Sequence, residues 1–393
     1  MSAPAHAERS HAILSASGSK RWLTCTPSAK LEQGFPEEES TFAAEGTFAH
    51  ELSEIHLSYY LGQIKRAAFN RELKKRSDHP FYSQEMLDYI QTYVDIAAER
   101  INEAKAQTND AVVLIEQRLD FSNWVPQGFG TGDIVIIADG TLEIIDLKYG
   151  KGVPVSAEEN TQMRLYALGA LHQFEFLYDI ERVRMTIVQP RLDTVSTDEI
   201  SVGDLLEWAN EIVKPRAEMA IKGEGEFSAG EHCRFCRARY TCRERAESNL
   251  QLARYEFQNP PLLTHEEVAE VLMQAESLQK WAADIQSYAL EQAEKFGVRF
   301  PGWKLVEGRS NRKYIDKASV ADTLILAGYQ EDLIYEPREI LGISAMEKAI
   351  GKKQFGELLT ELVIKPTGKP TLVHESDKRP ELNSVASAVE DFK

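Results

Sequence analysis

The sequence predicts an α/β protein of two or three domains. Apolar, β-branched runs at 111–119, 132–138, 141–148 and 182–189 alternate with segments of helical period. The 393 residues, 43% hydrophobic, suffice for a sizeable core. A third observation marks a separate region: of the four cysteines, three crowd together at Cys233, Cys236 and Cys242.

The elements follow in order. Residues 1–20 are Ser/Ala-rich and read as a flexible N-terminus. Residues 41–62 read as a helix with an apolar stripe of Ala43, Ala44, Phe48, Leu52, Ile55 and Tyr59; it also carries Glu45, His50, Glu51, Glu54 and His56. Residues 83–107 form a second amphipathic helix, and a strand follows at 111–119. Two further strands flank Asp139-Gly140, a pair that between β-rich runs signals a two-residue type I′ hairpin. A helix over 158–173, beginning near Ser156, a strand at 182–189 and a helix over 203–222 lead into the cysteine cluster. After Pro260-Pro261, Thr264 and Glu267 form a capping-box signature for a helix of about 30 residues ending at Phe296. Residues 298–370 are a mixed α+β accessory region with basic residues Arg299, Lys304, Arg309, Arg312 and Lys313, and 371–393 are a polar tail.

The formal net charge of −17 argues against a nucleic-acid coat protein but permits an enzyme with a local basic groove. Lys65, Arg66, Arg71, Lys74, Lys75 and Arg76 read as a solvated helix surface. Arg234, Arg237, Arg239, Arg243 and Arg245 differ because cysteines interrupt them. No apolar run approaches the ~20 residues that span a bilayer. The N-terminus shows no basic and apolar secretory pattern, so a cytoplasmic protein is expected.

The hairpin carries the chemistry. With Asp139-Gly140 as its loop, Ala138 faces Thr141, and Asp133 falls opposite Asp146. Opposed side chains share a face with Cβ atoms roughly 5 Å apart. Lys148, two residues beyond Asp146, points to the same face. Two carboxylates this close repel unless a proton or cation lies between them, and a hard divalent ion such as Mg²⁺ suits them. The cysteines form a second constellation. Cys25 with the Cys-x2-Cys-x5-Cys run offers four thiolates, enough for tetrahedral zinc or an iron–sulfur cluster; a single knuckle with a distant fourth ligand favours [4Fe-4S].

Together these residues resemble the PD-(D/E)XK nuclease superfamily, in its RecB-like exonuclease branch with an iron–sulfur staple. The motifs occur in order: His50 in Glu-Gly-Thr-Phe-Ala-His-Glu, Gly130-Thr131-Gly132-Asp133, Asp146-Leu147-Lys148, Gln162 through Tyr166, and one cysteine before and three after. The likeness covers residues 11–245. The whole chain also resembles a phage-borne family catalogued as a domain of unknown function, whose members share the Ala-Glu-Gly-Thr and Lys-Tyr-Gly-Lys-Gly segments.

The resemblance implies a nuclease domain over 21–250, a mixed central sheet flanked by helices and closed by the four-cysteine cluster; the long helix read from the capping box then occupies 262–297. It implies a metal-dependent deoxyribonuclease in phage or host DNA replication or recombination. Asp133, Asp146, His50 and the Leu147 carbonyl would hold Mg²⁺ or Mn²⁺, the imidazole favouring Mn²⁺. Lys148 would orient water or stabilise phosphate charge, and Gln162 and Tyr166, one helical turn apart, would position Lys148 or the DNA backbone. Glu116, on the preceding strand, is placed in a supporting role. Arg234 and Arg237 would guide a DNA strand, and Phe235 and Tyr240 would stack bases. Partners would be DNA and, for unwinding or loading, a single-strand-binding protein, recombinase or helicase. Two alternatives stand beside this reading: a non-catalytic DNA-binding recombination accessory, and a zinc-stapled scaffold.

Overall fold

The computed structural model describes residues 12–36, 41–251, 264–306, 316–327, 343–359 and 362–363. The chain divides into two compact units, Met1–Glu291 and Gln292–Lys393.

The first unit begins with α1 (Ser19–Thr24) and α2 (Ser28–Leu31). The expectation of a loose segment up to residue 20 fails from residue 12 onward, and residues 1–11 lie outside the described residues. Ala12, Leu14, Ala16 and Trp22 are buried, and the Trp22 indole donates to the Ser15 carbonyl at 2.9 Å. Small residues here are chosen for tight packing, which composition alone does not distinguish from disorder. Next come α3 (Thr41–Tyr60), α4 (Arg66–Arg76) and α5 (Gln84–Gln107). The Ser83 hydroxyl caps α5 by accepting from the Met86 amide at 3.1 Å. The basic residues of α4 pair along their own surface, with Lys75 and Arg76 on Glu72 and Arg76 also on Glu51.

Five strands follow: β1 (Val112–Asp120), β2 (Phe129–Ala138), β3 (Gly140–Leu147), β4 (Ile180–Gln189) and β5 (Thr194–Ser201). They form one sheet in the order β1-β2-β3-β4-β5, and all neighbours are antiparallel except β3 and β4. That parallel pair needs a crossover, supplied by α6 (Thr161–Phe174). The α6 helix begins later than Ser156 because the Asn160 side chain caps it, accepting from the Gln162 and Met163 amides. The hairpin register is as expected, Ala138 opposite Thr141 and Ile134 opposite Ile145. Its turn differs. Gly140 has φ 73° while Asp139 is not left-handed, so the loop has a positive φ only at its second position, as in a type II turn; type I′ needs it at both.

After β5, α7 (Val202–Trp208) passes through a π-turn at Ala209–Val213 into α8 (Lys214–Lys222), which Gly223 ends at φ 75°. The cysteine segment leads to α9 (Arg243–Leu250) and then α10 (His265–Phe296). The capping box forms as read: the Thr264 amide donates to Glu267 at 2.8 Å, and the Glu267 amide donates to the Thr264 hydroxyl at 3.2 Å. In the second unit α11 (Lys317–Leu326), α12 (Ile343–Ile350) and α13 (Lys352–Leu359) are described, and the polar tail lies outside the described residues. No strand occurs among the described residues of 298–370, so the β part of the expected α+β region is not found there.

Strand alternation divides the core of the first unit in two. Val135, Ile137, Leu142 and Ile144 face α6, α7, α8 and the N-terminal segment. Ile134, Ile136, Ile145 and Leu147 face α3 and α5. Helix α6 lies directly on β1: a Cβ on Gly169 would stand 2.9 Å from Leu119 Cβ and 3.1 Å from its backbone carbonyl carbon. Gly169→Ala is therefore expected to cost about 1–3 kcal/mol, read from the urea midpoint of the purified protein. An unchanged midpoint would mean that α6 sits farther from the sheet.

Candidate functional site

The site lies where β2 and β3 part. Their ladder ends at Ile134–Ile145. The next residues in register are Asp133 and Asp146, both buried. There the Asp133 side chain takes over a backbone role: its Oδ2 accepts from the Leu147 amide at 2.6 Å. On the other side of β2, Ile115 pairs with Ile134 and Gln117 with Gly132, so Glu116 stands opposite Asp133. Three carboxylates therefore form a row across three strands: Glu116, Asp133, Asp146.

Glu116 has φ 48°, a left-handed conformation uncommon for a non-glycine residue within a strand, and such strain collects at functional sites. The His50 imidazole approaches from α3 on the far face, its Nδ1 3.2 Å from Asp133 Oδ1. Ligand atoms of His50, Glu116 and Asp133 all lie within 4.8 Å of one another, the one such metal-capable group among the described residues.

From the opposite face α6 contributes Gln162 and Tyr166. The Lys148 ammonium stands 2.8 Å from Asp146 Oδ2 and donates to Gln162 Oε1 at 3.1 Å. The Gln162 amide nitrogen lies 3.2 Å from both Asp146 Oδ1 and the Tyr166 hydroxyl. The ammonium lies outside hydrogen-bond geometry to Asp146 Oδ2, leaving that buried oxygen with an ion-pair partner but no hydrogen bond. Gly130 makes room for Tyr166, since a Cβ there would meet the ring at 2.5 Å. The glycine of the Gly-x-x-Asp run is thus a space requirement of the α6 tyrosine.

The electrostatics follow from crowding. Burial would lower the His50 pKa, but the charge and hydrogen bond of Asp133 outweigh it and raise it to about 9. Asp133 is held below the ordinary range: burial opposes this, and the His50 charge and hydrogen bond with the Leu147 amide prevail. Asp146 is raised by burial, against the pull of Lys148 and with the repulsion of Asp133. Burial, then the charge of Asp133, brings Glu116 to about 7. Opposed shifts within one row of acids make it a candidate functional site.

Sequence reasoning missed Tyr93. This α5 residue is fully buried, and its hydroxyl has no hydrogen-bond partner among the described residues. It reads in sequence as an ordinary apolar-face position of an amphipathic helix.

The cysteines form the second constellation. Cys25, Cys233, Cys236 and Cys242 are free thiols lining one cavity with Arg21, His232, Arg239 and Arg245. Tight turns aim them inward, the Cys236 amide donating to the Cys233 carbonyl and the Cys242 amide to the Ala238 carbonyl. Burial, then Glu32, pushes the Cys236 thiol up to about 12, a cost that a bound cation would remove. The N-terminal segment is pinned here by protein contacts. Glu32 accepts from Arg21 Nε at 2.8 Å and from the Arg237 amide at 2.7 Å, and Thr26 donates to the Glu224 carbonyl at 2.6 Å.

The arginines that thread the cysteines divide. Arg245 and Arg239 pair with Asp284, and the Tyr240 ring stacks on Tyr288, so the ring expected to stack bases already has a protein partner. Arg234 lies over the ring of Phe235, which is 64% exposed.

Residues 11–380 match the family described as "Protein of unknown function (DUF2800)". Among solved structures, the chain is similar to a "Putative exonuclease" from Eubacterium rectale, at 16% identity and a TM-score of 0.34 over 60% of this chain and 93% of that one. It is also similar to SSO0001, at 16% identity and a TM-score of 0.23 over 51% and 96% of the two chains. Both likenesses are remote, and the chemistry rests on the side chains of the gap.

The pKa directions give a signed prediction. In metal-free protein the His50 contribution is fully present below its unfolded value of 6.5 and is lost as pH rises through about 9. The raised Glu116 pKa likewise removes stability as pH rises from 4.5 to about 7. A cation must displace both protons. Thermal stabilisation by Mn²⁺ should therefore grow between pH 6.5 and pH 8.5, with His50→Gln flattening the rise. A stabilisation independent of pH would contradict the assignment.

Proposed function

The chain belongs to the DUF2800 family, and we propose that it is a divalent-metal-dependent deoxyribonuclease, an exonuclease of the RecB-like PD-(D/E)XK type acting in DNA replication or recombination. One observation carries this reading: Glu116, Asp133 and Asp146 form a register row with the Lys148 ammonium 2.8 Å from the last. Structural ion pairs have no need of a third carboxylate, a strained backbone and a histidine on the same spot.

The donor set fits Mg²⁺ or Mn²⁺. His50, Glu116 and Asp133 supply one imidazole and two carboxylates within 4.8 Å of one another, and Asp146, the next residue of the row, has a buried oxygen with no hydrogen bond among the described residues. His50, Asp133, Asp146 and the Leu147 carbonyl would hold the ion, with Glu116 beside them. Such an ion lowers the pKa of water and neutralises charge on a phosphodiester. The chain's own groups do the rest. Asp146 holds the Lys148 ammonium as an ion pair at 2.8 Å and Gln162 accepts one of its protons at 3.1 Å. The ammonium thereby stays placed to meet a phosphate oxygen or to orient attacking water. Gln162, in turn tied to Tyr166, holds Lys148 beside Asp146. Arg234 and exposed Phe235 are suited to backbone and base contacts with a DNA strand, the first by charge and the second by stacking.

The four thiols fit a [4Fe-4S] cluster better than an apolar core. All four line one cavity together with Arg21, Arg239 and Arg245, three cations whose charge exceeds that of their carboxylate partners Glu32 and Asp284 by one. Zinc is the alternative occupant. In either case the group would be a staple that joins Cys25 to the segment after α8.

Two measurements test this. Anaerobically purified protein with Mn²⁺ should shorten end-labelled DNA, single- or double-stranded, and Asp146→Ala should lose roughly a hundred- to a thousandfold in rate while still binding DNA. DNA binding without cleavage by the wild type with any divalent ion would favour the accessory reading. The same preparation should absorb near about 400 nm from iron–sulfur charge transfer, and a colourless zinc protein would overturn the cluster assignment.

A further inference from the structure

Helix α10 is long and shallowly packed: across its 32 residues no side chain is buried among the described residues. A helix held by apolar burial alone would sink a stripe of side chains into the core. Two residues of α10 instead reach one place by specific contacts. Asp284 and Tyr288 lie one helical turn apart on a single face, both within the first unit. Asp284 Oδ2 accepts from Arg245 Nη1 at 2.7 Å, and its Oδ1 lies 4.0 Å from Arg239 Nε. The Tyr288 ring stacks on that of Tyr240, with centroids 5.5 Å apart and planes 14° from parallel.

The place they reach is the thiol cavity. Arg239 and Arg245 line it beside Cys25, Cys233, Cys236 and Cys242. A chain of hydrogen bonds runs from the helix to the backbone of the cysteines. Arg245 Nη1, held by Asp284, also donates to the Arg239 carbonyl at 3.0 Å, and Arg239 Nη1 donates to the Cys236 carbonyl at 3.3 Å. Between the two cysteines the turn Arg237–Tyr240 closes, with the Cys242 amide on the Ala238 carbonyl at 2.9 Å. Arg245 is buried, and a buried guanidinium that loses its carboxylate is strongly unfavourable. The helix and the thiols thus depend on one conformation of one short segment, residues 236–245.

We propose that α10 is part of the housing of the thiol site. Asp284 and Tyr288 are positioning residues that hold the segment bearing Cys236 and Cys242, so that filling of the cavity and docking of α10 reinforce each other. The inference rests on the reading of the four thiols as ligands and deepens it. Neither residue lines the cavity; each acts through Arg239, Tyr240 or Arg245. Whichever event comes first bears the entropy of ordering residues 236–245, and the second meets a segment already ordered. Such coupling is reciprocal.

The test uses the full chain purified anaerobically with its metal, and the same protein stripped by chelator. Release of metal to an excess of a chromogenic chelator is timed for wild type, Tyr288→Ala, Tyr288→Phe and Asp284→Asn, and loaded and stripped forms are melted. Tyr288→Ala leaves the charge of the cavity untouched. It should release metal roughly three- to tenfold faster, the scale of one aromatic contact. Its melting temperature should fall more in the loaded form than in the stripped one. Tyr288→Phe keeps the stacked ring and should match wild type, and Asp284→Asn should also release metal faster. In wild type, amide hydrogen exchange around Asp284 and Tyr288 should quicken on stripping. Wild-type release rates with equal melting losses in both forms would mean that α10 merely packs there, overturning the proposal. An effect of Asp284→Asn with none of Tyr288→Ala would assign the result to charge alone and overturn it too. A wild type that retains neither iron nor zinc would instead remove the four-thiol reading, and this inference with it.

Discussion

One hydrogen bond organises the site: the Asp133 carboxylate accepting from the Leu147 amide. It takes the place of a ladder bond just where the β2–β3 pairing stops, and so holds the two strands apart without leaving the amide unsatisfied. With it, side chains from both faces converge, His50 from α3 and Gln162 and Tyr166 from α6. A sheet normally keeps its two sides separate by alternation, and this gap makes them communicate.

The charges converging there are costly. Burying Asp133 and Asp146 side by side is unfavourable, and the protein offsets the cost unevenly: Asp133 receives His50 and a backbone donor, and Asp146 receives Lys148 and Gln162. Glu116 has the least support, and its pKa of about 7 records that. An arrangement this poorly balanced is what a divalent cation would complete. The cysteine cavity follows the same logic at a distance from the sheet, with thiols, arginines and the Glu32 clamp tying the first residues of the domain to those after α8.

Much of this was legible in the residues. The Asp-Gly step between two apolar runs specified the hairpin register, because a two-residue loop fixes which residues stand opposite one another. That register placed Asp133, Asp146 and Lys148 together, and helical spacing placed Gln162 with Tyr166. The Thr264–Glu267 cap was equally plain. Other features depend on tertiary context. The backbone inversion at Glu116 has no local signal, since nothing about glutamate calls for positive φ. Tyr93 occupies an apolar stripe where only its oxygen, without a partner among the described residues, sets it apart. The N-terminal segment looked loose because Ser and Ala suit both disorder and close packing, and strand β5, half-exposed throughout, lacks the apolar run that would announce it. The Tyr240 ring was read as a base platform because its stacking partner, Tyr288, lies on a helix far along the chain.

The central claim is that the gap between β2 and β3 is a cation site built by three strands and α3. Crystals soaked in Mn²⁺ and measured for anomalous scattering address it most directly. The account predicts a peak bounded by the side chains of His50, Asp133 and Asp146, with Glu116 adjoining. A structure with Mn²⁺ bound elsewhere, and the Asp133–Leu147 gap closed by strand pairing or filled by a protein side chain, would contradict it.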